Sequence, residues 1–296
     1  MAVSIRHVFE QGPVLRALSG VAVAALRKPQ ARAAGAVPAP GPWIEARIPP
    51  RSPELLRDYL RHVGDDPAWY RGVVPPHLFP QWAFPLSACA MTGLPYPLAK
   101  ALNAGCSMQV NAPLPAGEPL EVRARLESID DDGQRALITT RVITGTRSAP
   151  EALVSELRAF VPLKRAQSDS KKAKSTVPLD ARELAFLRVN ADAGLDFAKL
   201  TGDFNPIHWV PAYARAAGFR GCILHGFSTF ARAVAALDRA VFAGDPTRLS
   251  TIDARFTRPV PLPAKVGVYL QNDRLWVADA PGAAPYLEAS VMLRGV

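Results

Sequence analysis

Asp203 and His208 lie five positions apart, on either side of the turn-forming triplet Phe204-Asn205-Pro206. Proline cannot continue a helix, and asparagine often hydrogen-bonds its own turn backbone. A tight turn there can bring a carboxylate and an imidazole into one small space. Such a pair can bind and orient one water, the carboxylate taking its proton while the imidazole donates or accepts another. Spacing alone decides little, because Asp/His pairs this close in sequence are commonly structural. The same stretch, Phe197 to Phe227, also carries His225 and Gly226 just ahead of an apolar run.

Positioning these residues requires ordered elements on both sides. A short amphipathic helix (LDFAKLTG) is expected to stop at Gly202. Phe227 to Asp238 (FSTFARAVAALD) reads as a buried helix, and Trp82 to Gly93 (WAFPLSACAMTG) as its counterpart, with Pro85 confining that one to an early turn. Residues 118–128, 134–146 and 151–163 alternate apolar and polar side chains, as half-buried antiparallel strands do, and Asp131-Asp132-Gly133 marks a turn between the first two. Residues 251–258, 265–272, 273–279 and 285–294 behave likewise. One buried helix followed by antiparallel strands, present twice, predicts an α+β fold with the sheet wrapped round the helix.

The two halves also share a register. Pro113-Leu114-Pro115-Ala116 recurs as Pro261-Leu262-Pro263-Ala264 at an offset of 148, and His77 corresponds to His225 at the same offset. Internal duplication explains both matches. A polar, lysine-rich connector divides the chain, giving an N-terminal helix and linker (1–41), a first repeat (42–163), a linker (164–178) and a second repeat (179–296). The first repeat keeps Gly64-Asp65-Asp66-Pro67, but no histidine follows as His208 does, so one active site per chain is expected. Phe79, Trp82 and Phe84 read as ordinary core, with the lining of an apolar pocket as the alternative.

Composition narrows the classes further. Of 296 residues, 49% are hydrophobic and 21% charged, which excludes wholesale disorder. Three scattered cysteines (Cys89, Cys106, Cys222) form no CxxC pair, so neither a disulfide scaffold nor a zinc finger is expected, and a reducing, cytoplasmic setting fits. The net charge of +9 favours anionic partners, but no nucleic-acid-binding motif accompanies it. The apolar run Val14 to Leu26 is too short to span a bilayer and is interrupted by Arg16. It reads as an N-terminal helix rather than a signal peptide, and no stable membrane insertion is expected.

Taken as a whole, Phe197 to Gly226 resembles the signature of the MaoC-like hydratases, the (R)-specific enoyl-CoA hydratase family: F-x-x-L-T/S-G-D-x-N-P-I/L-H-x-x-x-x-x-A. Phe197, Leu200, Thr201, Gly202, Asp203, Asn205, Pro206, Ile207, His208 and Ala214 all match in register. The resemblance is sharp over about Leu195 to Pro263. It implies a double hot-dog fold and addition of water across the 2,3-double bond of an enoyl thioester, or the reverse dehydration. By the same resemblance Asp203 is the base on the water, and His208 orients it and passes a proton to C2. The backbone N–H of Gly226, opening the central helix, is implied to bind the thioester carbonyl, where a helix N-terminus stabilises developing enolate charge.

Asn205 shapes the turn and is counted with Gly226 among the substrate-binding residues. His225 orients local backbone or faces substrate, and Arg255 and Arg258 lie where coenzyme A phosphates approach, with a plain surface role as the alternative. No metal or redox cofactor is required. The substrate partner is an acyl-CoA or an acyl carrier protein thioester, and a homodimer stays open. Two rival readings are a non-catalytic acyl-thioester-binding scaffold subunit and a hot-dog thioesterase.

Overall fold

The computed structural model describes residues 3–12, 37–164 and 175–295. The helix expected at 14–26 and most of the 164–178 linker lie outside the described residues. In the first half, a single turn α1 (His7–Glu10) is followed by strand β1 (Ile44–Ile48) and helix α2 (Pro53–Val63). Next come β2 (Val73–Val74), helix α3 (Pro80–Ala90), β3 (Leu102–Val110), β4 (Leu114–Pro115), β5 (Leu120–Asp131), β6 (Arg135–Gly145) and β7 (Leu153–Pro162). The second half runs β8 (Arg182–Val189), α4 (Ala193–Thr201), α5 (Pro211–Ala216), α6 (Gly226–Ala240), β9 (Leu249–Phe256), β10 (Ala264–Gln271), β11 (Arg274–Ala278) and β12 (Leu287–Leu293).

The alternating strands bury every second side chain, as along the first seven residues of β5, and this gives the sheet one face for the helices. Ten strands form one antiparallel sheet in the order β1-β5-β6-β7-β3-β9-β12-β11-β10-β8. Read outward from the β3–β9 junction, the halves repeat the same succession: β3-β7-β6-β5-β1 on one side, β9-β12-β11-β10-β8 on the other. The small β2–β4 ladder pairs Val74 with Leu114. At an offset of 148, the Leu262 N–H donates to the Cys222 carbonyl at 2.9 Å. The duplicated register therefore exists in space as well as in sequence.

Each half wraps its sheet round one helix. Helix α6 buries Phe227, Phe230, Val234 and Leu237, and α3 buries Trp82, Ala83 and Leu86. Side chains of this size contribute about 1.5–3 kcal/mol each when fully buried. The two helices begin side by side: Phe79 meets Phe227 and Phe230 edge-on at ring separations of 5.8 and 6.4 Å. Helix α3 departs from expectation at one point. It starts at Pro80, so Pro85 is an interior residue and the helix continues through it to Ala90. Proline removes one backbone hydrogen bond there, and the burial of Trp82, Ala83 and Leu86 on the same helix offsets the loss. Among the described residues, no helix is long and apolar enough to cross a membrane.

Candidate active site

Helix α4 sets the position of the turn that carries Asp203 and His208. Its last residue, Thr201, is followed by Gly202 in the left-handed region at φ 83°, which ends the helix and turns the chain into Asp203. Asn205 caps the next single turn, its Oδ1 accepting from the Ile207 N–H at 3.3 Å. The Asn205 N–H donates in turn to Asp203 Oδ1 at 3.3 Å. His208 closes that turn. Gly194, near the start of α4, packs against it so closely that a Cβ there would fall 1.9 Å from the His208 carbonyl oxygen.

Three of the expected residues come together. The His208 and His225 rings stack with centroids 3.6 Å apart. Asp203, His208 and His225 each offer one side-chain atom within 4.8 Å of the others, a spacing that one water, or a small cation, can bridge. The backbone fixes the ring protons. His208 Nδ1 lies 2.8 Å from the Ile223 carbonyl oxygen, and a carbonyl only accepts, so Nδ1 carries the proton and Nε2 is left as a lone pair. His225 Nε2 donates to the Asp203 backbone carbonyl at 3.0 Å, which ties the start of α6 to the catalytic turn. Burial lowers the pKa of His208 from its ordinary value against the opposing pull of Asp203. Burial and the adjacent His208 push His225 down to about 3, so this ring stays neutral.

Gly226 opens α6 as its first residue, leaving its N–H free of an intrahelical partner. A Cβ at Gly226 would lie 2.9 Å from the Phe256 ring, so any larger residue would displace the aromatic wall. That wall is a set of edge-to-face rings, with Phe79, Phe84, Phe230 and Phe256 all around Phe227. Phe79 and Trp82 are core residues, Trp82 Nε1 donating to Thr144 Oγ1, whereas Phe84 is half-buried.

Both arginines make contacts within the fold. Arg255 is largely exposed and pairs with Glu288 at 3.3 Å. Arg258 stacks on Tyr286, and its guanidinium donates to Asp279 Oδ2 and to the carbonyls of Ala284 and Pro285.

A second polar cluster mirrors the first. Asp65, His77 and Asp238 are all buried and again place one atom each within 4.8 Å of one another. His77 Nε2 lies 3.5 Å from Asp65 Oδ2, and Tyr70 donates to Asp238 Oδ2 at 2.6 Å. Burial, with the Asp65 carboxylate alongside, raises the Asp238 pKa well above the carboxylate range, while hydrogen bonding to His77 holds Asp65 low against the effect of burial. Protonated Asp238 can then donate to Asp65.

Sequence reasoning missed Gly194, whose only signal was a glycine inside a helical pattern. It also missed Gln11 and Gln81, for which no local signal exists.

The profile of the MaoC like domain matches residues 170–278. Enoyl-CoA hydratase ChsH3 of Mycobacterium tuberculosis is 30% identical over 212 residues, covering 69% of this chain and 72% of that protein. The 3-hydroxyacyl-thioester dehydratase Y of the same organism is 32% identical over 176 residues, 55% of this chain and 58% of its own length. The crystal structure of HtdX, also from Mycobacterium tuberculosis, superposes with a TM-score of 0.66 at 24% identity, covering 86% of this chain and all of that one. A conserved hypothetical protein of that organism with a double hot-dog fold superposes with a TM-score of 0.54 at 12% identity, covering 86% of this chain and 96% of that one, so the fold is a double hot dog. The ordered sheet, the paired central helices and the 212-residue match together make this chain a member of the MaoC-like dehydratase family.

Proposed function

We propose that this protein hydrates 2-enoyl thioesters to (R)-3-hydroxyacyl thioesters, or dehydrates them in the reverse direction, using a water held between Asp203 and His208. One observation carries the reading: the Nδ1 proton of His208 is committed to the Ile223 carbonyl, which leaves Nε2 an acceptor, and the His208 ring and the Asp203 carboxylate place side-chain atoms within 4.8 Å of each other. A water whose two hydrogens are both taken presents an oxygen lone pair outward, toward C3. Asp203 removes a proton as C3–O forms, and the proton taken from the water is the one delivered to C2. The Gly226 N–H receives the enolate charge that develops on the thioester oxygen. Because His208 begins neutral and with its donor engaged, it orients the water as an acceptor rather than supplying a proton of its own.

The names of the relatives support both directions of this reaction. The net charge of +9 suits the phosphates of coenzyme A or the acidic surface of an acyl carrier protein. Free thiols at Cys89, Cys106 and Cys222 fit a reducing cytoplasm. On this reading the second repeat (179–296) is catalytic and the first (42–163) is a degenerate copy. The test is loss of the conjugated enoyl-thioester absorbance with crotonyl-CoA and a C8–C12 homologue. Hydration by the wild type, reduced about 10²–10⁴-fold in Asp203→Asn, is the expected result. Turnover that survives Asp203→Asn, or release of free thiol in place of hydration, would overturn it.

A further inference from the structure

Helix α4 ends in backbone carbonyls that no later turn of helix can satisfy. Water usually completes such ends, but here two side chains remote in sequence do so. Gln11, with no exposed surface, donates from Nε2 to the carbonyls of Lys199 and Leu200 at 3.3 and 3.1 Å. Gln81, at the start of α3 in the first half, donates from Nε2 to the same Leu200 carbonyl at 3.2 Å and to Gln11 Oε1 at 3.1 Å. Three residues beyond Leu200 stands Asp203.

The segment carrying Gln11 is itself anchored at both ends of the contact. His7 is buried, with Nε2 2.9 Å from Asp58 on α2. Glu10 accepts from Ser52, the residue that caps α2, at 3.0 Å. Lys199 on α4 reaches back to the Val3 carbonyl at 3.2 Å. Residues 3–12 therefore strap the end of α4 to the beginning of α2, and the buried carboxamide pair is the innermost part of the strap.

We propose that Gln11 and Gln81 are positioning residues for the catalytic turn: by holding the terminal carbonyls of α4 they fix where Gly202 releases the chain and hence where the Asp203 carboxylate stands. The proposal rests on the hydratase reading for its kinetic consequence. Neither residue touches the reacting atoms, and their effect passes through the helix end. A small displacement of the base weakens transition-state geometry more than substrate binding, so the loss falls on kcat.

Gln11→Leu and Gln81→Leu keep the bulk and remove the donors. Hydrogen exchange of the peptide spanning 197–209 and steady-state hydration of crotonyl-CoA are measured on the full chain. Phe9→Ala, an exposed residue on the same strap, serves as control. Faster exchange at 197–209 in both variants, with kcat down about tenfold or more and KM within twofold, is expected, and Phe9→Ala should match wild type in both readouts. Unchanged exchange at the turn would overturn the proposal. So would faster exchange with undiminished kcat, or loss of the folded state in both variants, which would assign the pair a purely structural role. If the wild type hydrates no enoyl thioester, the reaction reading fails, and the exchange measurement alone judges the clamp.

Discussion

His77 and His225 stand 148 residues apart at the same place in the two halves, and each has an aspartate oxygen within 4 Å of Nε2: Asp65 at 3.5 Å and Asp203 at 3.9 Å. The two clusters diverge in what surrounds that pair. Asp65 precedes His77 by 12 residues and Asp203 precedes His225 by 22, and the longer excursion carries α5. In the first half Tyr70 meets His77 edge-on, and Asp238 reaches in from the far end of α6, so the copy is filled by the other repeat. The first-half cluster is a buried polar link between the halves.

That link makes a prediction about pH. The Asp238 pKa is raised in the fold, so its contribution to stability is complete below the unfolded carboxylate value and declines as pH rises through the folded one. Asp238→Asn keeps a donor for Asp65 and an acceptor for Tyr70 without a titrating proton. The variant should fold, and its stability above pH 4 should depend less steeply on pH than that of wild type. Urea denaturation between pH 4 and 8 measures this, and parallel curves would contradict it.

Gly194 offers a steric test at the proposed site. Alanine there would collide with the His208 carbonyl, a backbone atom that can move only with the turn. Gly194→Ala should destabilise the protein by about 1–3 kcal/mol and lower kcat by ~10²-fold through displacement of His208. A variant with wild-type kcat would show that the turn is not positioned by this contact.

How far the sequence disclosed all this depended on how local each signal was. The catalytic string lies within 31 consecutive residues, and its turn chemistry is carried by Gly202, Asn205 and Pro206, so the cluster was legible. The strands that alternate were placed to within about three residues, and the helix expected at 227–238 spans Gly226–Ala240. Strand β3 (LNAGCSMQV) was not read. It lies mid-sheet between β7 and β9; only Cys106 to Val110 alternate, with Cys106, Met108 and Val110 buried, and the register shifts before Gly105, so the signal spans just five residues. Helix α2 carried its own signal in the Ser52 cap, Pro53 and the apolar positions Leu55, Leu56, Tyr59, Leu60 and Val63, but it was overlooked. Gln11 and Gln81 were illegible for a different reason. A glutamine has no preferred context, and the groups to which the two donate lie 70 to 189 positions away.

Arg258 should behave as a structural residue. Its guanidinium bridges Asp279 and the Ala284 and Pro285 carbonyls over the face of Tyr286. Arg258→Ala is therefore expected to lose about 1 kcal/mol of stability, since several partly exposed hydrogen bonds go at once. Arg255→Ala, whose side chain is 68% exposed beside Glu288, should change stability by less than about 0.5 kcal/mol. Urea midpoints of the two variants compare them directly, and equal losses would refute the distinction.

Acidification should act on the site twice, with the same sign. In the fold His225 titrates near 3, while in the unfolded chain its imidazole returns to its ordinary value near 6.5. The unfolded state therefore binds more protons below that value. Stability from this group is complete above about pH 6.5 and falls by about 1.4 kcal/mol per pH unit as pH drops toward 3. His62 is lowered to about 3 by burial and by the neighbouring Arg232, and adds in the same direction. In the proposed mechanism His208 Nε2 must stay unprotonated to accept from the water. Because burial lowers its pKa, the acid limb of kcat should lie below pH 6.5, with activity lost as Nε2 gains a proton. A pH–rate profile over a range where the protein stays folded, paired with thermal unfolding at each pH, separates the two effects. A limb centred at or above 6.5 would mean that the stacked, buried imidazole is not the acceptor that holds the water.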